Sequence, residues 1–368
     1  CDVPDAQARE WIDWGRFHLG PTDGSDRSRL WWTGRWAREN PANNYYHSFI
    51  LATSVYAIAS EDQEYIDWLK SDRLPKLYDY YSRSLEGGSR EGTDYGKSHA
   101  LVFEIAEMWR DYDGTEVLPQ AFIDNSIRYW THAIAPGAFN IATIGDMAGA
   151  SKGRVIGSHC DVIDNAIHLS GDAEAIALGR WQLGQIGEKC HNNVIYGRKI
   201  LHDYPEVPMP DDVPLHYHAE GAGVLFVRDG WEQGSTFLWF TAGKRDEAHQ
   251  CEDQGAFGVH ARGRFQTAGD HTWTKNGLCA GDIDRQNVIR FPGVDRNIRG
   301  STSDLTYSID AGTLIVDMDL SAAVGREWLR HVEWVFGSSE MAIRDTFTGA
   351  GAFLFHKPSA DDYSAPYT

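Results

Sequence analysis

The sequence predicts an α+β protein of two domains, a helical domain over residues 1–205 and an antiparallel β-sandwich over residues 212–368. In the first half, apolar side chains recur at the spacing of amphipathic helices. After the proline-rich stretch 204–210, short apolar segments alternate with turns rich in Gly, Asp and Ser. A chain of 368 residues also exceeds the size that one hydrophobic core usually organises, which favours two domains.

The helices of the first half are predicted from apolar periodicity and from stop signals. Asp113-Gly114 and the Ala-Pro-Gly sequence at 135–137 are typical helix ends. Short loops between successive helices favour antiparallel pairs, and therefore a bundle or a toroid of paired helices. The predicted helices span 47–60, 63–85 with a break near Pro75, 97–112, 122–134, 155–169 and 173–186.

The second half is predicted to form short antiparallel strands. Turn sequences such as Asp229-Gly230 and Gly337-Ser338 bound several of the segments. Many short strands at such intervals are typical of a sandwich of two sheets. The predicted strands span 223–227, 236–240, 255–260, 313–318, 332–335, 341–344 and 352–355.

Composition and charge narrow the classes of partner. The net charge of −19 works against nucleic acid, because binding to phosphates relies on Lys and Arg. No apolar run approaches the length of a membrane span, so we expect none. An anionic ligand would require a cleft that concentrates cations locally, whatever the total charge. We interpret the excess of Asp and Glu as part of a solvated protein surface.

The five cysteines show no CxxC spacing, and an odd number of cysteines cannot all pair within one chain. They are Cys1, Cys160, Cys190, Cys251 and Cys279. Cys1 is compatible with the lipid-modified first residue of a processed lipoprotein and equally with an arbitrary start of the sequence. The printed sequence contains no signal peptide.

The first polar motif lies at a predicted helix start, where Asn43-Asn44 precedes Tyr45-Tyr46-His47. One asparagine at such a position is explained as an N-cap. The following Tyr-Tyr-His has no such explanation. The segment is therefore a candidate for function.

The second motif is the glycine-rich loop 87–95, which contains Arg90, Glu91 and Tyr95 and leads directly into a predicted helix. A loop that only connects two helices has no need of so many ionisable groups. Loops held by a rigid scaffold often contain functional residues.

Two further polar stretches lie among the predicted strands. The third motif spans 248–257 and includes His249, and Gly269-Asp270-His271 follows it. The fourth motif, 285–289, precedes a predicted strand. A single histidine in such a stretch would normally be interpreted as a surface residue, and the fourth motif alone has no functional meaning. Their order along the chain is the informative feature.

Together, these stretches resemble the heparinase II/III-like polysaccharide lyases, which include several alginate lyases and, more distantly, uronate epimerases. The resemblance covers about residues 40–355 and implies an incomplete (α/α) toroid joined to a β-sandwich, with the active cleft between them. It also implies a secreted or periplasmic protein, or an outer-surface lipoprotein. The matching segments, in family order, are Asn-Asn-x-x-His at 43–47, Glu-Gly-Thr-Asp-Tyr at 91–95, Gly-Asp at 145–146, Ala-His-x-x-x-Asp-Gln-x-x-Phe at 248–257 and Arg-His-Val-Glu-Trp at 330–334.

Such lyases cleave uronic-acid-containing polymers by β-elimination, so the implied partner is an anionic polysaccharide or oligosaccharide. The uronate carboxylate must be neutralised while a base removes the C5 proton and an acid protonates the O4 leaving group. By family position, Asn44 and His249 are assigned to neutralisation. Tyr95 is assigned as the acid, and as the base where both protons lie on one face. His47 is the complementary base or orients the sugar.

The remaining site residues are assigned to substrate binding. Arg90 and Arg245 are expected to grip carboxylates and to lower the pKa of a nearby tyrosine. The chain also has fourteen Trp and sixteen Tyr, most of which must pack in the core, while others would line a groove for sugar rings. The other substrate-binding candidates are Asn43, Tyr46, Glu91 and Trp32. We expect Tyr95, His249, His47 and Asn44 to converge on one cleft.

The sequence departs from the family pattern at two positions. Many relatives have His-x-His in the third motif and a histidine in the fourth, and these residues contribute to a zinc site in some of them. Here the corresponding residues are Cys251 and Gln286. Cys251, Asp270 and His271 are weak candidates for a rearranged site, because all three residue types bind zinc. We expect no cofactor and no structural metal.

Three other functions are compatible with the same residues. A glycoside hydrolase would need two carboxylates beside the scissile bond, which Glu91, Asp94 and Asp253 could supply. A C5-epimerase would share the base and the acid but keep the leaving group in place. A non-catalytic glycan-binding protein is the third alternative, because two motif histidines are missing. Alginate, heparan, hyaluronan and glucuronan are all candidate polymers for the lyase.

Overall fold

The structure is a computed structural model of the chain. It describes residues 5–19, 39–145, 153–187, 190, 207–247, 249–267, 286–294 and 297–355. Residues 204–206 of the predicted linker lie outside this part, and 207–210 have no regular secondary structure. Among the described residues, no helix is both long and apolar enough to cross a membrane.

Helices make up the regular structure that is described up to Ile186. A further short helix, α9, lies among the strands of the second half. The helices are α1 (Asp5–Leu19), α2 (Asn44–Ser60), α3 (Gln63–Trp68), α4 (Leu74–Tyr81), α5 (His99–Asp113), α6 (Gln120–Ala133), α7 (Gly157–Leu169), α8 (Ala173–Ile186) and α9 (Ser321–Val324).

Two of the helix ends show the predicted chemistry. The Asp172 side chain accepts hydrogen bonds from the backbone N–H groups of Glu174 (2.9 Å) and Ala175 (3.1 Å), as an N-cap does. Gly114 adopts a left-handed conformation (φ 79°) after α5 and donates to the carbonyl of Arg110. The stop at Asp113-Gly114 is therefore confirmed, because glycine adopts this conformation without steric cost.

The α-helix is interrupted near Pro75, as predicted, but the interruption comes just before the proline. A π-helical turn, Leu69–Arg73, precedes it, and Pro75 lies in the first turn of α4. The Leu74 N–H bonds to the Leu69 carbonyl five residues back, so the helix widens just before the proline. Proline is tolerated here because the first helical turn needs no intrahelical N–H donor.

The second half forms antiparallel sheets. A five-stranded sheet has the order β1-β2-β3-β4-β5, a four-stranded sheet has the order β10-β9-β8-β7, and β6 pairs with β11. This confirms an α+β protein with antiparallel sheets. The strands are β1 (His216–Ala219), β2 (Val224–Arg228), β3 (Phe237–Thr241), β4 (Phe257–Ala261), β5 (Arg264–Thr267), β6 (Ile289–Arg290), β7 (Asp304–Asp310), β8 (Thr313–Asp319), β9 (Trp328–Val335), β10 (Met341–Phe347) and β11 (Ala352–Phe353).

The two larger sheets share one apolar core. Phe240 and Phe257 of the first sheet belong to the same buried cluster as Val316, Trp328 and Val332 of the second. In β8 and β9 every second residue is buried, so one face of the four-stranded sheet points into this core. Burial of each large apolar side chain contributes roughly 1.5–3 kcal/mol, which makes this cluster the main source of stability for the sheets.

The chain divides into two compact units. The first contains Cys1–Arg83 and Ser98–Phe122, and the second contains Ser84–Lys97 and Ile123–Thr368. The change from helix to strand falls between Ile186 and His216, close to the predicted position. The compact units follow a different division, since α7, α8 and the glycine-rich loop belong with the strands.

Disulfides account for at least three of the cysteines. Cys160 in α7 is bonded to Cys190, just beyond α8, with a Cα–Cα distance of 5.5 Å. Both residues are buried. Cys251 is also disulfide-bonded. Neither the odd number of cysteines nor their irregular spacing indicated that these disulfides form.

Arg330 forms a buried polar junction in the second unit. Its guanidinium donates to both carboxylate oxygens of Asp345 (2.9 and 3.0 Å) and to the carbonyls of Gly255 (2.6 Å) and Asn287 (2.8 Å). The Arg330 side chain is fully buried. A buried charge is tolerated when it is paired and its hydrogen bonds are satisfied.

We predict that Asp345→Ala destabilises the protein by about 3–5 kcal/mol, because it leaves a buried guanidinium without its counter-charge. Urea unfolding measures the change. Asp310→Ala, at an exposed position of the same sheet, is the control and should change stability by no more than ~0.5 kcal/mol. Equal losses of unfolding free energy in the two variants would show that the ion pair of Arg330 contributes no more to stability than an exposed aspartate does.

Candidate active site

The glycine-rich loop is held by a backbone bridge between Gly92 and Gly145. A β-carbon at either glycine would clash with the backbone of the other segment, at Ile144 or Glu91. Gly92 also has a positive φ of 99°. The sequence therefore allows this close approach only because both positions are glycine.

Thr93 fixes the next part of the loop. Its N–H donates to the Ile144 carbonyl (3.1 Å), and its hydroxyl donates to the Ala142 carbonyl. Nε2 of buried His159 lies 3.1 Å from the Thr93 carbonyl, while Nδ1 accepts the Ile156 N–H. Since Nδ1 is an acceptor, the proton of the neutral ring is on Nε2, which donates to Thr93.

Tyr95 and His249, two of the four residues that were predicted to share one cleft, lie in contact with each other. Their rings stack with centroids 3.6 Å apart and planes inclined by 15°. Tyr95 begins the short 3-10 helix Tyr95–Ser98, and the Gly96 N–H bonds back to the Gly92 carbonyl (3.0 Å). Both rings are half-buried, so part of each is accessible.

The turn that presents His249 is organised by Gln250. The Gln250 side-chain oxygen accepts the N–H groups of Asp246 and Glu247, each at 2.8 Å. Its side-chain nitrogen donates to the Lys244 carbonyl at 2.7 Å. One buried amide therefore closes the turn from Lys244 to Gln250 and limits where His249 can lie.

The two arginines assigned to substrate carboxylates are paired with acids of the protein. Arg90 contacts Asp246 and lies 3.3 Å from Glu247. Arg245 lies 2.8 Å from Glu252. Neither guanidinium can therefore give its whole charge to a ligand.

Arg299 is a cation at this place that the sequence analysis missed. Its guanidinium donates to the Asp246 carbonyl at 3.2 Å, and the residue is exposed. Among the described residues it has no carboxylate partner, whereas Lys244 is paired with Asp246 (2.7 Å). The motifs gave no indication of Arg299, because it lies outside all four of them.

Asp253 is a second residue whose role the sequence analysis missed, although it lies in the third motif. Its carboxylate accepts the Gly145 N–H at 3.1 Å, and it is 5% exposed. Burial raises the pKa of Asp253 to about 6, although the Gly145 N–H and the charge of Arg245 act in the opposite direction. Glu91 and Asp94 are also buried.

The first motif belongs to the other compact unit. Asn43 is the N-cap of α2, and its side chain accepts the Tyr45 N–H at 2.8 Å. Asn44 begins α2, and its buried Oδ1 has no hydrogen-bond partner among the described residues. Tyr46 is fully buried and donates its hydroxyl proton to the Arg73 carbonyl (2.9 Å). This contact agrees with core packing of Tyr46 rather than with its assignment to substrate binding.

His47 is almost fully buried. Its Nε2 lies 2.8 Å from the Pro41 carbonyl and 3.2 Å from the Tyr81 hydroxyl. Burial lowers the pKa of His47 to about 4, so the ring is neutral near pH 7. A neutral, buried imidazole that is bonded to the Pro41 carbonyl can orient neighbouring residues, but it does not present a ring nitrogen to a sugar.

The residues considered for a metal do not form a zinc site in the described part of the chain. The sulfur of Cys251 is in a disulfide and is no thiolate ligand. Gln286 is fully buried, and neither atom of its amide has a hydrogen-bond partner among the described residues. Asp270 and His271 lie outside the described residues, as does Trp32.

Several solved structures with a similar fold are of heparinase III or of a heparan sulfate lyase. A heparinase III aligns with a TM-score of 0.60 at 14% identity, over 84% of this chain and 48% of its own. The heparan sulfate lyase HepC from Pedobacter heparinus aligns with a TM-score of 0.57 at 11% identity, over 83% and 46%. A heparinase III with methylated lysines aligns with a TM-score of 0.61 at 14% identity, over 97% and 58%.

These likenesses define the fold. The chain has a heparinase-like polysaccharide-lyase fold and spans about half the length of the solved structures named above. No protein-family model matches the sequence, and no curated protein matches it. At identities of 11–14%, the likeness extends to the arrangement of the backbone and not to the reaction or the substrate.

We predict that Asp253 makes the protein less stable as the pH rises from about 4 to about 6. Its folded pKa of about 6 lies above the ordinary 3.8, so in this window the unfolded chain has released a proton that the folded protein retains. Asp253→Asn removes this effect. The unfolding free energy of the variant, relative to the unchanged protein, should rise by on the order of 2–3 kcal/mol between pH 4 and pH 7. A difference that is constant with pH would contradict the assignment.

Proposed function

We propose that this chain is a polysaccharide lyase that cleaves a uronic-acid-containing polymer by β-elimination. The observation that supports it is the stacked contact of Tyr95 with His249 in a protein with a heparinase-like fold. A phenol and an imidazole in contact, both half-buried, provide an acid–base group and a hydrogen-bond donor within reach of one sugar ring. The proposal also includes a toroid of paired helices and a β-sandwich. The sandwich is supported by the apolar core that the two larger sheets share.

In the proposed reaction, His249 hydrogen-bonds to the uronate carboxylate and reduces its charge. Removal of the C5 proton then forms a carbanion that is delocalised into this carboxylate, and the bond from C4 to O4 breaks. Tyr95, starting as the phenolate, removes the C5 proton and then donates this proton to the departing O4, which requires that both lie on one face of the sugar. One product fragment has a new reducing end. The other has a 4,5-unsaturated uronate at its new non-reducing end.

Burial of the carboxylates argues against the hydrolase alternative. Hydrolysis needs two carboxyl groups that reach the glycosidic bond and a water. Glu91, Asp94 and Asp253 are 4%, 0% and 5% exposed, so none of them presents an accessible carboxylate. Elimination needs none of these three carboxylates, which is why it is the better-supported reaction.

One assay separates the lyase from the alternatives. The protein is incubated with alginate, heparan sulfate, hyaluronan and glucuronan, and products are followed by ultraviolet absorbance and by mass. A lyase gives absorbing 4,5-unsaturated products, whereas a hydrolase gives shorter products that do not absorb. An epimerase changes neither length nor absorbance but exchanges the C5 proton with solvent. Binding without any of these changes identifies a glycan-binding protein.

We predict that Tyr95→Phe lowers kcat by a factor of ~10²–10⁴, because it removes one acid–base group. Oligosaccharide binding and the melting temperature should change little, since only a hydroxyl is lost. His249→Ala should weaken both turnover and binding, because it removes the group that engages the carboxylate. Tyr112→Phe, at an exposed position of α5, is the control and should leave kcat unchanged. Retention of most activity by Tyr95→Phe would refute the assignment of proton transfer.

We also predict that activity survives prolonged chelation. The reason is that Cys251 is disulfide-bonded and Gln286 replaces a histidine at the positions that bind zinc in some relatives. Metal analysis of the purified protein is the companion measurement. Stoichiometric zinc, together with loss of activity on its removal, would contradict the prediction.

A further inference from the structure

Asp253 lies in the same motif as His249, and its carboxylate reaches the segment that is paired with the loop of Tyr95. Its carboxylate accepts the Gly145 N–H at 3.1 Å, and its backbone carbonyl accepts the Thr241 hydroxyl of β3. Gly145 is in turn paired with Gly92 in the glycine-rich loop. The carboxylate therefore connects that loop, through Gly145, to the segment that follows His249.

A buried carboxylate at this position is costly for stability. Among the described residues, no side chain donates a hydrogen bond to the carboxylate of Asp253, and the donor to this carboxylate from elsewhere in the chain is the Gly145 N–H. The charged groups that act on it are Arg245, which favours the ionised form, and Glu252, which disfavours it. Burying a carboxyl group with so few donors opposes folding. A residue that opposes folding needs an explanation other than general stability.

The contacts around Gly145 supply that explanation. The Gly92–Gly145 bridge, the Thr93 N–H to the Ile144 carbonyl (3.1 Å) and the Gly96 N–H to the Gly92 carbonyl (3.0 Å) form an uninterrupted series that ends beside Tyr95. Asp253 is four residues after His249 in the sequence. Any shift of Gly145 relative to Asp253 would therefore move the tyrosine relative to the histidine.

We infer that Asp253 is a positioning residue, which holds the loop of Tyr95 against the turn of His249 by accepting the Gly145 N–H. The part of this inference that concerns turnover rests on the proposed lyase function. The part that concerns the loop does not. A misplacement of about 1 Å between reacting groups can cost ~10² in rate, so a single hydrogen bond at this point has a large effect on catalysis.

The test compares Asp253→Ala with Asp253→Asn, because asparagine keeps an oxygen that can accept the Gly145 N–H. Amide hydrogen exchange is measured at Thr93, Gly96 and Gly145, and kcat and KM are measured on the best polyuronate. Asp253→Ala should speed exchange at these amides at least tenfold and lower kcat by ~10², with KM changed less than threefold. Asp253→Asn should restore most of the protection and most of kcat.

Asp172→Ala is the matched control. Asp172 also accepts backbone N–H groups through its carboxylate, but it does so at the N-terminus of α8. Its loss should lower the melting temperature without changing kcat or exchange at the three amides. If Asp253→Ala does not fold, Thr241→Val removes the hydroxyl that holds the Asp253 carbonyl. It should then raise exchange at Gly145 and lower kcat more than KM rises.

Three results would overturn or support the inference. Unchanged exchange at Thr93, Gly96 and Gly145 in Asp253→Ala would overturn it. Asp253→Asn as inactive as Asp253→Ala, but with normal exchange, would overturn it as well, because the charge and not the hydrogen bond would then matter. Faster exchange in Asp253→Ala, combined with an unchanged protein that cleaves no polyuronate, would support the positioning of the loop and reject the lyase function.

Discussion

Two backbone segments approach so closely at Gly92 and Gly145 that neither position has room for a β-carbon, and the candidate site depends on this contact. The bridge brings a loop from between the helices to a segment that lies 53 residues later, since 145 − 92 = 53. Without it, Tyr95 would be attached only to a glycine-rich connector. With it, the tyrosine ring lies at 3.6 Å from the ring of His249. The lack of a β-carbon at these two glycines thus allows the loop to hold Tyr95 in contact with His249.

The sequence predicted well those elements whose local pattern and tertiary environment agree. Residues 224–227 of β2 and 237–240 of β3 are continuous apolar runs, and both strands are buried on both sides. Asp172 caps α8 where the pattern of α8 begins. The prediction missed β1, where His216, Tyr217 and His218 are only half-buried, and β6, which has two residues. It also missed β7, although Leu305, Tyr307 and Ile309 alternate there with polar residues. For β7 the period-two pattern was present in the sequence.

The pairing of charges could not be predicted, because the partners are set by the fold. Arg90 was assigned to the substrate because it lies in a polar loop, and its partners Asp246 and Glu247 lie more than 150 residues away. His47 was assigned from its motif, and its burial against Pro41 and Tyr81 became visible only in the structure. Asp253 was considered only as a carboxylate of the hydrolase alternative, and the third motif gave no indication that its partner is a backbone N–H.

These pairings bear on how an acidic protein would act on an acidic polymer. A cluster of unpaired arginines would bind a uronate strongly in the ground state as well as in the transition state, and such uniform binding does not raise kcat. Here Asp246, Glu247 and Glu252 compensate Arg90 and Arg245. On the proposed mechanism, a hydrogen-bond donor such as His249 then engages the carboxylate most strongly when charge accumulates on it, after the C5 proton has left. On the same mechanism, Arg299, which is exposed and bonded to a carbonyl, would attract the polymer without neutralising the reacting group in advance. On that mechanism, the internal acids would shift binding energy from the bound substrate to the carbanion, which is the state that elimination has to stabilise.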